Sequence, residues 1–174
     1  TAKPISLRRY AVTNNLAPLI SNVMGQKLVL GRLAVAGQFT VFYASPNTGK
    51  TLITLRLIRD SVTQKWIDAD LLFYINMDDS ASGLLEKSRF AIELGFHMIG
   101  GSYQHFSTDK FHVSMREMID SNTAKGVVVV LDTLKKFTKL MNKDDSSQFA
   151  AMVRQFTLKG GTVIALAHAN KRPD

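Results

Sequence analysis

The 174-residue chain contains no cysteine, so disulfides and thiolate metal sites are excluded and a small secreted scaffold is disfavoured. No apolar run approaches the roughly 20 residues that a membrane helix needs. Nor does the N-terminal Thr1-Ala2-Lys3-Pro4 open a signal-like apolar stretch, and the first residue is not Met. Residue 1 is therefore expected to be a processing boundary, and the cytoplasm is the expected compartment. Internal repeats and low-complexity tracts are lacking too. Acidic residues are outnumbered, with 14 Asp and Glu against 22 Lys and Arg, for a net charge of +8. A basic surface of this kind can attract nucleic acid without regard to sequence, or serve a nucleotide phosphate with the remainder solvated. Length and a hydrophobic fraction of 45% fit one soluble domain with a single sizeable core.

Residues 1–32 read as a mixed lead-in, with Arg8-Arg9, two prolines and the polar pair Asn14-Asn15. From residue 33 onward strands and helices alternate. Phe39 to Ala44 is rich in β-branched and aromatic residues and predicts a buried strand. A helix is predicted from about Lys50 to Thr63, with Leu52, Leu55 and Ile58 at helical spacing. Leu71 to Met77 predicts a second strand, ending on Asp78-Asp79-Ser80, where a loop or helix cap falls. Leu84 to Leu94 follows as a helix closed by Gly95, and Phe96 to Ile99 as a short strand. Phe111, Met115, Met118 and Ile119 share a helical face, with Ser107 or Thr108 as N-cap. Gly126 to Leu131 is apolar throughout, as a strand buried on both faces of a parallel sheet must be. Thr138 to Asp145 is polar and predicts a loop, before a helix carrying Phe149, Met152, Val153 and Phe156 and stopped at Gly160-Gly161. The last predicted strand, Thr162 to Ala167, ends on His168. This alternation predicts an α/β fold with a largely parallel sheet and helices on both faces. Further strands of the domain are expected beyond residue 174.

One segment carries most of the chemistry: Ala44-Ser45-Pro46-Asn47-Thr48-Gly49-Lys50-Thr51, set between a strand and a helix and followed by Leu52. There, backbone N–H groups and the positive end of the helix converge on one anion. Gly49 lets the backbone pass close to a ligand, Lys50 can reach β- and γ-phosphates, and the Thr51 hydroxyl can ligate magnesium. The usual pattern starts with glycine, where this chain has Ala44; that position mainly turns the chain. ATP with magnesium is the expected ligand. Asp132, directly after the strand 127–131, fits the carboxylate that a magnesium nucleotide needs at a neighbouring strand end, with an N-cap or turn aspartate as the plain alternative. Asp78 and Asp79 stand at another strand end, where either could orient water or cap the next helix, as Ser80 could. His168 could sense a γ-phosphate or hydrogen-bond within a loop. Asn170, Lys171 and Arg172 read equally as a solvated basic tail or as phosphate or nucleic-acid contacts.

In order, Ala44 to Thr51, Tyr74-Ile75-Asn76-Met77-Asp78, Val127 to Thr133 and Ile164 to Lys171 resemble the RecA-like P-loop ATPases. Within them they are similar to hexameric replicative helicases of the plasmid RepA and DnaB kind, from about Leu30 to the end. The resemblance implies a RecA-like core with a lead-in over 1–32 and the core over 33–174. It also implies catalytic roles for Lys50, Asp78, Asp132 and His168, magnesium on Thr51 and Asp132, single-stranded DNA as partner, and a hexameric ring. In that family the carboxylate at the position of Asp78 is generally Glu, one methylene longer. His168 matches the polar residue that couples nucleotide state to DNA-binding loops. The neighbour's arginine finger normally lies later in the domain, with Arg172 as a stand-in. Three other readings stay open: a RecA-like recombinase or regulator, a nucleotide-binding module without catalysis, and a P-loop small-molecule kinase. An arginine-rich lid would mark the kinase, and beyond Asp132 the chain has only Arg154 and Arg172.

Overall fold

The computed structural model describes residues 6–101, 103–139 and 142–168. After two 3-10 turns, helix α1 (Ala17–Met24) leads to a small antiparallel hairpin of β1 (Leu28–Val29) and β2 (Ala34–Val35). The main body follows as β3 (Phe39–Ala44), α2 (Lys50–Thr63), β4 (Leu72–Asn76), α3 (Ala81–Leu94) and β5 (His97–Gly100). It continues through α4 (Thr108–Asp120), β6 (Val128–Asp132), α5 (Lys143–Leu158) and β7 (Thr162–His168). The five long strands form one parallel sheet in the order β3-β7-β6-β4-β5.

Strand alternation sorts the core into two layers. Val127, Val129 and Leu131 pack with Ile75, Val163 and Ala165 against Phe111 and Met115 of α4 and Phe149 and Phe156 of α5. On the opposite face Val128, Val130, Leu72, Tyr74 and Ile164 meet Ile58 of α2 and Ala91 of α3. Each fully buried aliphatic side chain contributes roughly 1.5–3 kcal/mol, so strands apolar at every position hold the centre of the sheet. Among the described residues no helix is long and apolar enough to cross a membrane.

The expected α/β fold, with a largely parallel sheet and helices on both faces, is thus the observed one. Three local expectations change. First, β3 is only partly buried, with Tyr43 64% exposed, because it is the edge strand and has β7 alone as neighbour. Second, the polar stretch 138–145 is not wholly a loop, since α5 starts at Lys143. Asn142 caps it by accepting from the Asp144 and Asp145 N–H groups, and those two acids sit favourably at the positive helix end. Third, the lead-in contributes to the core. Val29 and Leu30 are buried, and the Leu30 N–H donates to Ser61 Oγ at 3.0 Å, which itself donates to the Leu57 carbonyl at 2.7 Å. The hairpin lies across the 32/33 boundary and packs on α2 through these contacts.

Candidate nucleotide site

All five strands run the same way, so the C-terminal ends of β3, β7, β6 and β4 share one edge. The chain passes from β3 directly to β4, leaving two places later filled by β6 and β7. Ligands of open α/β sheets bind outside the carboxyl ends at such a switch of direction. There the molecule has a cleft of about 780 Å³, lined by Asn47 to Leu52 of the loop and α2, by Asp78, Asp79 and Asp132, and by Lys87 and His168.

The loop geometry follows from two left-handed residues. Asn47 has φ 60° and Gly49 φ 80°, conformations that Asn tolerates and Gly adopts freely. The Thr48 hydroxyl closes the turn by donating to the Ser45 carbonyl at 2.8 Å. Gly49 is the N-cap of α2 and supplies no side-chain acceptor, so the first N–H groups of α2 have no side-chain cap. The cleft lining begins at Asn47; Ala44 ends β3, and Ser45 and Pro46 form the limb leading up to it.

Lys50 lies across this mouth, its Nζ 3.3 Å from His168 Nδ1 and 3.5 Å from the Ala44 carbonyl. Register pairing sets Ala44 beside His168, so the ends of β3 and β7 bring the two side chains together. Thr51, one residue into α2, donates to Asp132 Oδ2 at 3.5 Å. Asp132 is 8% exposed and continues the side of β6 that carries Val128 and Val130. The peptide bond after it is cis, and Thr133 Oγ1 donates to the Leu166 carbonyl at 2.7 Å.

The same carboxylate oxygen accepts from two further groups. Buried Tyr74 donates its hydroxyl at 2.7 Å, and Lys87 Nζ on α3 stands 3.4 Å away. Burial pushes the Tyr74 phenol well above its ordinary value of 10.0, and the charges of Asp132 and Asp79 add to the shift. Lys87 also meets Asp79 Oδ2 at 2.7 Å and is thereby a bridge between two strand ends. Asp78, by contrast, faces the turn after β6, pairing with Lys136 at 3.2 Å and Lys135 at 3.7 Å. Both aspartates are oriented by Asn76, whose Oδ1 accepts their N–H groups at 3.1 and 3.0 Å. The helix cap is Ser80, which accepts from the Gly83 N–H. Neither Asp78 nor Asp79 is spent on it.

A family model described as an AAA domain matches residues 25–174. The chain belongs to this AAA domain family. No curated protein matches it. The matched span holds the whole loop, Asp132 and His168, and the family is one of P-loop ATPases. Membership of a P-loop ATPase family implies nucleotide binding, usually with magnesium. The donor set here suits such an ion: a hydroxyl and a carboxylate, both hard oxygen ligands, 3.5 Å apart. Among the described residues no group of three or more His, Cys, Asp or Glu forms a protein-only metal cage. Magnesium at phosphate sites takes one or two carboxylates and completes its shell with phosphate oxygens and water.

Sequence reasoning placed Lys50 and Thr51 where the loop enters a helix and Asp132 and His168 at strand ends, and the AAA domain gathers them in one cleft. It missed Tyr74 and Lys87. Tyr74 sits in an apolar run and reads as core, which it also is; the one clue is a phenol in a segment otherwise Leu, Phe and Ile. Lys87 follows Gly83 and precedes Phe90 on the α3 face that lines the cleft, and a cation at that spacing was the available signal. Asn170, Lys171 and Arg172, the basic trio and the arginine-finger stand-in, lie outside the described residues.

Proposed function

We propose that this AAA domain hydrolyses ATP as the motor of a DNA helicase or a related plasmid- or phage-type replication protein, working as a ring on single-stranded DNA. The observation that carries the catalytic part is the meeting of Lys50, Thr51, Asp132 and His168 at three adjacent strand ends around a loop whose helix begins without a side-chain cap. In this reading the loop amides and Lys50 hold the β- and γ-phosphates. Thr51 and Asp132 hold magnesium, directly or through water. When bound, magnesium draws charge from the β- and γ-phosphate oxygens. Tyr74 orients the Asp132 carboxylate by donating to the same oxygen that meets Thr51. Asp78, held at the mouth by Lys135 and Lys136, orients the attacking water. His168, beside Lys50, registers loss of the γ-phosphate.

The net charge of +8 supports a nucleic-acid partner, and Lys135 and Lys136 tie the cleft to the basic turn after β6. ATP turnover measured with and without single-stranded DNA tests this reading, followed by unwinding of a forked duplex. Stimulation and unwinding are the expected results. Turnover indifferent to DNA would remove the helicase role and leave a regulatory ATPase or a kinase; binding without turnover would leave a module that has lost catalysis.

A further inference from the structure

The cleft already contains one cation where a second is expected. Lys87 Nζ lies 2.7 Å from Asp79 Oδ2 and 3.4 Å from Asp132 Oδ2, and its side chain is only 13% exposed. It also stands 5.9 Å from the centre of the Tyr74 ring. The Asp132 oxygen it touches is the one that faces the Thr51 hydroxyl. A divalent ion held by Thr51 and Asp132 and the Lys87 ammonium would therefore share a single carboxylate oxygen. Two cations this close, in a partly buried setting, repel strongly.

We propose that Lys87 is a built-in counter-ion that holds the divalent-cation position in the nucleotide-free cleft and is displaced from Asp132 when the metal nucleotide loads. This rests on the reading of Thr51 and Asp132 as metal ligands. Lys87 joins Asp79, in the turn after β4, to Asp132 at the end of β6. With the ammonium in place, a bare divalent ion must compete for Asp132. A metal arriving with its phosphates brings additional ligands and a negative charge for Lys87 to turn towards. Lys87 can release Asp132 without losing every partner, because its shorter contact is to Asp79. It acts as a positioning residue that makes metal loading depend on nucleotide.

The test uses Mn²⁺ alone, titrated by electron paramagnetic resonance into nucleotide-free protein. Lys87→Met should bind Mn²⁺ at least tenfold more tightly than the parent chain. Its melting temperature should rise on adding Mn²⁺, while that of the parent stays still. Lys87→Arg, which keeps the charge, should behave as the parent does. Lys87→Gln carries the same expectation as Lys87→Met should the latter fold poorly. Equal Mn²⁺ affinity in the parent and both neutral variants would overturn the proposal. Asp132→Asn separates that failure from a failure of the ligand assignment. It should weaken binding of ATP with magnesium relative to metal-free ATP; an equal effect on the two would show that Asp132 is no ligand at all.

Discussion

The two walls of the cleft are prepared in opposite ways. On the loop side the positive groups are lightly engaged: Lys50 has an imidazole neighbour and one long contact to a carbonyl, and α2 begins without a side-chain cap. On the carboxylate side the three strand-end aspartates each already have a cation or a donor, Asp79 and Asp132 through Lys87, Asp132 again through Tyr74, and Asp78 through Lys135 and Lys136. An incoming polyphosphate therefore meets ready donors on one wall and must rearrange charge on the other. Affinity for the anion is preset by backbone shape, whereas the arrangement of the carboxylates is a balance of pairs that a ligand can shift.

Breaking the carboxylate wall should cost most. Asp132→Asn keeps the shape but removes the charge, and steady-state phosphate release should fall by about 10²–10³, as when one preorganised electrostatic group is lost. Tyr74→Phe deletes a buried donor to a charged acceptor, and denaturant unfolding should show a loss of about 2 kcal/mol. Burial of this phenol, with the Asp132 charge and the bond to it adding to the effect, has a pH signature. The Tyr74 phenol is held above its ordinary 10.0 in the folded chain, so the unfolded chain loses this proton first as pH rises. The contribution is full below pH 10, declines above it, and unfolding curves between pH 9 and 11 should show a steeper loss in the parent than in Tyr74→Phe. On the loop side Gly49→Ala forces a side chain into φ 80°, which should cost about 1 kcal/mol and weaken ATP binding in a fluorescence titration. No atom lies within 4 Å of the added carbon, so the backbone conformation alone accounts for the effect. Lys136→Ala should be mildest, with stability changed by less than about 0.5 kcal/mol, because that pair with Asp78 is largely exposed.

The contrast between the walls also marks how far the residues could be read in advance. The apolar strand before Asp132, the loop, the cap Gly95 and a cap at Ser107 or Thr108 were legible because each depends on local rules: unbroken apolarity, turn geometry, a hydroxyl or a glycine at a helix end. The loop wall was legible for the same reason. The carboxylate wall depends on which strand lies beside which, and β6 enters the sheet after β5 yet sits inside β4. Only that order carries Lys87 over to Asp132 across 45 residues of chain, and Tyr74 across 58. Edge placement likewise decided the exposure of β3, since its composition alone cannot distinguish an edge from a centre. In α5, a polar first turn concealed the helix start that Asn142 fixes.

ATP hydrolysis by the parent chain and Lys50→Ala, measured side by side with magnesium present, tests the nucleotide site most directly. The account predicts turnover in the parent and a loss of at least about 100-fold in the variant, since in the proposed function Lys50 holds the β- and γ-phosphates. Hydrolysis by Lys50→Ala at the parental rate would contradict it.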